Sequence, residues 1–139
     1  MRDPIITTEL VRTFVPCNHW SDPALLARTL GEGGLPLRRV LDLDTVTAWE
    51  KLWLAARPEV LGAERLERFV DSVAGKEPCC KDCKDTPERR RTLKGAMGAI
   101  SSLIDRRLVE LGGHPHLVPA LTEATMIGAV EKLKQLLDE

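Results

Sequence analysis

Five stretches of the sequence carry an apolar residue at every third or fourth position and are bounded by residues that start or stop helices. They lie at about residues 21–31, 44–58, 62–75, 86–113 and 119–137. This spacing places the apolar side chains on one face of an α-helix, where they can be buried against neighbouring helices. The pattern therefore predicts a mainly α fold, a compact bundle of four to five helices.

The predicted helix starts follow from N-cap residues and from prolines in the first turn. Ser21 or Asp22 precedes Pro23, Asp44 precedes the second stretch, and Thr86 precedes Pro87 at the start of the fourth. Gly75 and Pro58 are predicted to end the helices before them. The fourth stretch is predicted to be the longest helix and the centre of the bundle, with its core face formed by Leu93, Met97, Ile100, Ile104, Leu108 and Leu111.

The second and fifth stretches carry similar apolar stripes. In the second, the predicted core face is formed by Val46, Trp49, Trp53 and Ala56. In the fifth, it is formed by Leu121, Ala124, Ile127, Val130, Leu133 and Leu137. Trp49, Trp53 and Trp20 are interpreted as core residues, or as a cover over the cysteine segment described below, in preference to a recognition surface.

The N-terminal part of the sequence does not fit the helical pattern. "IITTELVRTFV" is rich in β-branched residues, and a second short run, "LRRVLDLD", has a similar character. The two runs are predicted to form either an irregular segment or two short strands that pair as a ribbon. Residues 1–20 are thus expected to form an extended arm on a single helical domain that covers residues 1–139.

Length and composition indicate a globular domain with its own hydrophobic core. The chain has 139 residues, of which 43% are hydrophobic, and its formal net charge is −1. No apolar run reaches the roughly 18 residues that a transmembrane helix needs, and the N-terminus has no secretory pattern. We expect a cytoplasmic protein without a membrane partner, and the net charge gives no global reason for binding to nucleic acid.

The four cysteines predict a metal site. Cys79, Cys80 and Cys83 lie together in "EPCCKDCKD", at residues 76–86 between two predicted helices, and Cys17 lies far upstream. A cytoplasmic compartment disfavours disulfides, and a Cys-x-x-Cys pair lets two thiolates reach one ion. Bound metal would tie the N-terminal arm to the bundle. The alternative is that these are free thiols without a ligand.

A tetrahedral site needs donors from outside the cysteine segment. Cys17 is the first candidate and His19 the second, followed by the His114 and His116 pair in "GGHPHLV". Zinc is the predicted metal, but an all-cysteine set could also hold an iron–sulfur cluster. Since adjacent cysteines are awkward as two ligands of one zinc ion, either Cys79 or Cys80 could be free.

The sequence "ERRRTLK" offers an alternative site. Arg89, Arg90, Arg91 and Lys94 lie at the start of the fourth helix and could contact phosphate. The competing interpretation is a solvated helix face, because no aromatic residues are interleaved for stacking on bases. Further along, Gly95, Gly98, Ala99 and Ser102 form a stripe of small residues that predicts close helix packing, within the chain or across a homodimer.

No catalytic motif is recognised, so the protein is not expected to be an enzyme. The sequence lacks a nucleophile elbow, a phosphate-binding loop and a Glu-x-x-His pair. We expect a small accessory or regulatory protein that binds a macromolecular partner, most simply a protein, through its helical surface. A nucleic-acid-binding regulator and an iron–sulfur or thiol-based redox or metal sensor are the alternatives.

Overall fold

A computed structural model describes residues 4–14, 22–75 and 87–138, and these are mainly helical. They contain nine α-helices, one 3₁₀ turn at Pro115–Leu117 and two short strands. The strands are β1 (Ile5–Ile6) and β2 (Leu35–Pro36). The helices are α1 (Thr8–Thr13), α2 (Pro23–Leu30), α3 (Leu37–Leu41), α4 (Ala48–Ala55), α5 (Pro58–Leu61), α6 (Ala63–Ala74), α7 (Pro87–Arg90), α8 (Leu93–Glu110) and α9 (Val118–Leu137).

All five helical stretches predicted from the sequence contain a helix of eight or more residues, namely α2, α4, α6, α8 and α9. The backbone N–H of Ala24 donates to the Asp22 carboxylate at 2.9 Å, which identifies Asp22 as the N-cap of α2. Gly75 ends α6 with a φ of 85°, a conformation that favours glycine. The predicted number of four to five helices omitted the short helices α1, α3 and α5, and it included α7 in a longer helix; each of these four has no more than six residues.

One predicted helix start is displaced along the chain, and the residue predicted to end the same helix has another role. Thr47, not Asp44, caps α4: its hydroxyl accepts from the N–H of Glu50 at 3.2 Å, and the Glu50 carboxylate accepts from the N–H of Thr47 at 3.3 Å. Such a reciprocal capping box satisfies the backbone N–H groups of both Thr47 and Glu50. Pro58 lies beyond the end of α4 and is the first residue of α5, where its missing N–H has no cost.

The stretch predicted as one helix over residues 86–113 is divided in two. After α7 the chain turns at Arg91 and Thr92, and Thr92 caps α8 by accepting from the N–H of Gly95 at 3.1 Å. α8 therefore has 18 residues and is shorter than the 20-residue α9, which is the longest helix among the described residues. The predicted helix began too early because Thr86 and Thr92 are both suitable N-cap residues by type, and the structure uses Thr92 as the cap of α8.

A short ribbon forms, but only the first β-like run contributes a strand to it: β1 pairs with β2, which lies just before the second run, residues 37–44, and that run forms α3. β1 and β2 are antiparallel, with Ile5 opposite Pro36 and Ile6 opposite Leu35. Most of each run is nevertheless helical, and the arm is not extended over residues 4–14, because Ile6 and the α1 residue Val11 are fully buried. β-branched residues here fill core positions on a short helix, which overrides their strand preference.

A cation–aromatic stack fixes the end of α1. The Arg57 guanidinium lies 4.1 Å from the ring centroid of Phe14 and 4.3 Å from that of Trp53. Arg57 Nε also donates to the carbonyl of Trp53 at 2.9 Å. Cation–π contacts of this kind contribute on the order of 1 kcal/mol each when partly desolvated. The described part of the N-terminal arm is thus packed on the bundle by direct contacts.

The core lies between α4, α6, α8 and α9, with Leu52, Leu66, Phe69 and Leu133 fully buried. Four residues predicted for the core face are exposed: Trp49, Leu111 and Ile127 are 40%, 54% and 49% exposed, and Ala124 is exposed as well. The predicted stripes were wider than the surfaces that neighbouring helices cover. Within the described part of the chain, no helix has the length and hydropathy needed to cross a bilayer.

Candidate functional site

The predicted metal ligands fall almost entirely outside the described residues. Cys17, His19, Cys79, Cys80 and Cys83 lie in residues 15–21 and 76–86. Across the described ranges, no group of three or more histidine, cysteine or acidic side chains is arranged to hold a metal ion. The metal site therefore remains a prediction from the sequence.

His114 and His116 lie close together in the turn between α8 and α9. Their ring centroids are 5.4 Å apart, with the ring planes tilted by 44°, and both residues are exposed. Two imidazoles can supply half of a tetrahedral zinc site, which needs four ligands. The described residues add no third ligand.

The four residues of the predicted phosphate cluster differ in their surroundings, and one of them, Arg90, is used in packing. Arg90 is only 4% exposed, and its Nη1 donates to Asp71 Oδ1 and to the carbonyl of Gly75, both at 2.6 Å. Arg91 Nε forms an ion pair with Glu67 at 2.7 Å. Lys94 is exposed. Neither of the two sequence interpretations describes Arg90, which binds α7 to the C-terminal end of α6.

The remaining arginine, Arg89, contributes its backbone to the turn before α8. Its carbonyl accepts from the Thr92 hydroxyl at 2.7 Å and lies where a Cβ atom on Gly95 would be. Glycine at position 95 is therefore required by the close approach of this turn to α8. The stripe of small residues is confirmed as a packing feature at this position.

An open groove lies between residues 41–51 and α9. Its volume is about 660 Å³, and we call it the α4–α9 groove. Its apolar lining includes Leu43, Val46, Trp49, Val118, Met126 and Ile127. Its charged lining residues are Asp44, Lys51, Glu123, Glu131 and Lys134.

The groove exists because α9 is much longer than the elements that pack on this side of it. At 1.5 Å per residue α9 is about 30 Å long, whereas the eight residues of α4 span about 12 Å. The core stripe of α9 includes Ala129 and Leu133, and a second stripe beside it, with Met126 and Ile127, faces the groove. This second stripe extends beyond the reach of α4.

Half of the large apolar side chains that are exposed in the described residues line the groove. Six large apolar side chains are exposed among the described residues, and Trp49, Val118 and Ile127, all in the groove, are three of them. Clusters of exposed apolar side chains with a polar rim are typical of interaction sites, whereas scattered ones are ordinary. Tryptophan is also one of the residue types that are enriched at binding hot spots.

The two lysines of the groove differ in their surroundings. Lys134 Nζ lies 2.7 Å from Asp42 Oδ1 and 3.3 Å from Glu131 Oε1. The hydrogen bond to Asp42 raises the pKa of Lys134, and the same bond lowers the pKa of Asp42. Desolvation, followed by repulsion from Lys134, lowers the pKa of Lys51, which forms no ion pair within 4 Å in the described ranges.

The sequence interpretation missed this site. Trp49 and Ile127 were assigned to the core, and Lys51 was not selected at all. The signal was present in α9, where apolar residues fill more than one face of the helix. Such excess apolar surface indicates that a helix packs against two partners, but it does not show whether the second partner belongs to the same chain.

The groove has the size and lining of a binding site. Its volume lies in the range of ligand sites, about 300–1,000 Å³, and its apolar walls with few charged groups match the usual composition of such sites.

Comparisons with protein-family models, with curated protein sequences and with solved structures find no match for this chain.

Proposed function

We propose that this protein is a small accessory or regulatory protein that binds an amphipathic helix of a protein partner in the α4–α9 groove. The observation that carries this proposal is the concentration of exposed Trp49, Val118 and Ile127 in one open groove. Burial of these side chains by a partner would supply the favourable free energy of association.

The length of the groove supports a helical partner. Its lining on α9 runs from Val118 to Lys134, a distance of about 24 Å at 1.5 Å per residue. A partner helix of about 15 residues has a similar length. Helix-in-groove binding places apolar side chains at positions i, i+3 or i+4, and i+7 against such a surface. Trp49 is the expected central anchor, because it is both large and accessible.

The proposal also keeps the structural metal predicted from the sequence. Zinc bound by Cys17 and the Cys79, Cys80 and Cys83 segment, with His19 as the further donor, would stabilise the fold that presents the groove. An iron–sulfur cluster is the alternative cofactor. Support for this part comes from cysteine spacing alone, and elemental analysis of the purified protein tests it.

A selection from a displayed library of randomised 15-residue helical peptides tests the groove. We expect enriched peptides to share apolar residues at i, i+3 or i+4, and i+7. They should bind the wild-type protein but not Ile127→Asp, which puts a charge into the groove. Val109→Asp is the matched control, because Val109 is 74% exposed on α8 and does not line the groove. Peptides that bind Ile127→Asp as well as wild type would contradict the proposal.

A further inference from the structure

We infer that Lys51 selects a partner helix that carries an acidic residue, by pairing with its carboxylate at the end of the apolar contact. This inference rests on the proposed function, since it concerns the occupant of the same groove. It goes further in naming one residue as the determinant of specificity and in naming the chemistry that this residue recognises.

The arrangement of the charges around Lys51 carries the inference. Lys51 lines the groove and is half-buried, and no carboxylate of the described residues lies within 4 Å of its ammonium group. Asp42 and Glu131 are both bonded to Lys134. Asp44 also lines the groove but lies outside ion-pair distance of Lys51. Lys51 thus has a hydrogen-bonding capacity that its nearest acidic neighbours do not fill.

When a partner helix occupies the groove, the missing hydrogen-bond acceptor of Lys51 becomes more unfavourable. A partner helix excludes water from the groove, so it increases the desolvation of Lys51. An ammonium group buried without a partner is strongly unfavourable, whereas one that is paired with a carboxylate recovers much of that free energy. A purely apolar helix would therefore be disfavoured, and a helix with an acidic residue at this point would be preferred.

Lys134 lies near Lys51 but is already paired. It lowers the pKa of Lys51 by repulsion, and its own charge is held by Asp42 and Glu131. Lys51 is therefore the lysine of the groove with which a partner carboxylate would pair. Because Asp42, Asp44 and Glu131 also act on Lys51 from a longer distance, the preference for an acid rests on direct hydrogen bonding to Lys51. Charge-assisted hydrogen bonds to carboxylates are also among the stronger polar contacts that proteins form.

The peptide selection described above, repeated on charge-reversed variants, tests the role of Lys51. With the wild-type protein we expect Asp or Glu at one fixed position relative to the apolar residues. With Lys51→Glu we expect Lys or Arg to replace the acid at that position. Lys132→Glu is the matched control, because Lys132 is exposed on α9 outside the groove, and it should leave the selected acid unchanged.

A quantitative comparison completes the test. One selected peptide and its Glu→Gln or Asp→Asn form are titrated against wild type and against Lys51→Met. We expect about a tenfold difference in Kd between the two peptides on wild type, equivalent to about 1.4 kcal/mol, and less than about threefold on Lys51→Met. Lys51→Met should still bind the peptides through the apolar contact.

The outcomes separate the inference from the proposed function. Groove-dependent peptides without a preferred acid, or with an acid that persists in Lys51→Glu, overturn the role of Lys51 alone. The absence of any peptide whose binding Ile127→Asp abolishes overturns the proposed function as well. Binding of dodecanoate in the groove without any peptide binding would assign it to an anionic lipid and overturn the protein partner.

Discussion

The guanidinium group of Arg90 lies 2.6 Å from the carboxylate of Asp71, and the same Nη1 atom donates to the carbonyl of Gly75 at 2.6 Å. Arg90 is only 4% exposed. Asp71 and Gly75 lie at the end of α6, and Arg90 lies in α7, which begins at Pro87. This contact therefore joins the residues on both sides of the cysteine segment, residues 76–86, within the described part of the chain.

The Arg90 contact predicts a large loss of stability on its removal. Arg90→Ala should lower the free energy of unfolding by about 2–3 kcal/mol, because it leaves Asp71 and the Gly75 carbonyl without their buried donor. Arg91→Ala is the control, since the Arg91 side chain is 48% exposed and solvent screens its ion pair with Glu67, so its removal should change stability little. Urea unfolding measures both. Equal losses in the two variants would show that burial of Arg90 carries no special weight.

Two glycines of α8 should respond in opposite directions to substitution by alanine. A Cβ atom at position 95 overlaps the carbonyl oxygen of Arg89, so Gly95→Ala should destabilise the protein by about 1–3 kcal/mol. A Cβ atom at position 98 would lie 3.8 Å from Arg89 Nη2, which is an ordinary van der Waals contact. Gly98→Ala should therefore stabilise α8 by about 0.5–1 kcal/mol. Thermal unfolding that moves in the same direction for both variants would contradict this account.

Lys51 should lower the stability of the protein when the groove is empty. Its pKa is lowered from 10.5, chiefly by desolvation, so Lys51→Met should raise the free energy of unfolding at pH 7. The gain should be no more than about 0.5 kcal/mol, because Lys51 is only half-buried and solvent screens its charge. Between the lowered folded pKa and 10.5 the unfolded state binds more protons, so the stability of the wild type rises with pH in this window. The advantage of Lys51→Met should therefore shrink as pH rises toward 10.5. Urea unfolding at pH 7 and pH 10 measures it, and an advantage that grows with pH would contradict the sign.

Substitution of the predicted metal ligands should lower both metal content and stability. Cys80→Ser and Cys83→Ser are each expected to lower the metal content of the purified protein and its thermal stability together, because metal binding is coupled to folding. Elemental analysis and thermal unfolding provide the two measurements. Absorbance near about 400 nm would indicate an iron–sulfur cluster in place of zinc. Unchanged stability in a metal-free wild-type protein would exclude a structural metal.

The accuracy of the sequence predictions varied with the range of the interactions that decide each feature. The start of α2 and the end of α6 were predicted well, because Asp22 and Gly75 act on backbone groups a few residues away. The start of α4 was placed three residues early, since Asp44 and Thr47 are both good caps by type. Only the reciprocal bond with Glu50 distinguishes them.

The candidate site was much less predictable. Trp49 and Ile127 have the residue types and spacing of core positions, and whether such a position is covered depends on the length and placement of another helix. The burial of Arg90 likewise depends on Asp71, which is 19 residues away along the chain. A pattern within one helix contains no information about either neighbour.

By itself the sequence determined the mainly helical character of the chain, because apolar periodicity and capping residues act within one helix. It also determined the local excess of apolar residues in α9. Only the tertiary structure decided which of these residues form the core and which line the α4–α9 groove. The physical reason is that burial is a property of two packed surfaces, and the shorter α4 leaves part of α9 uncovered.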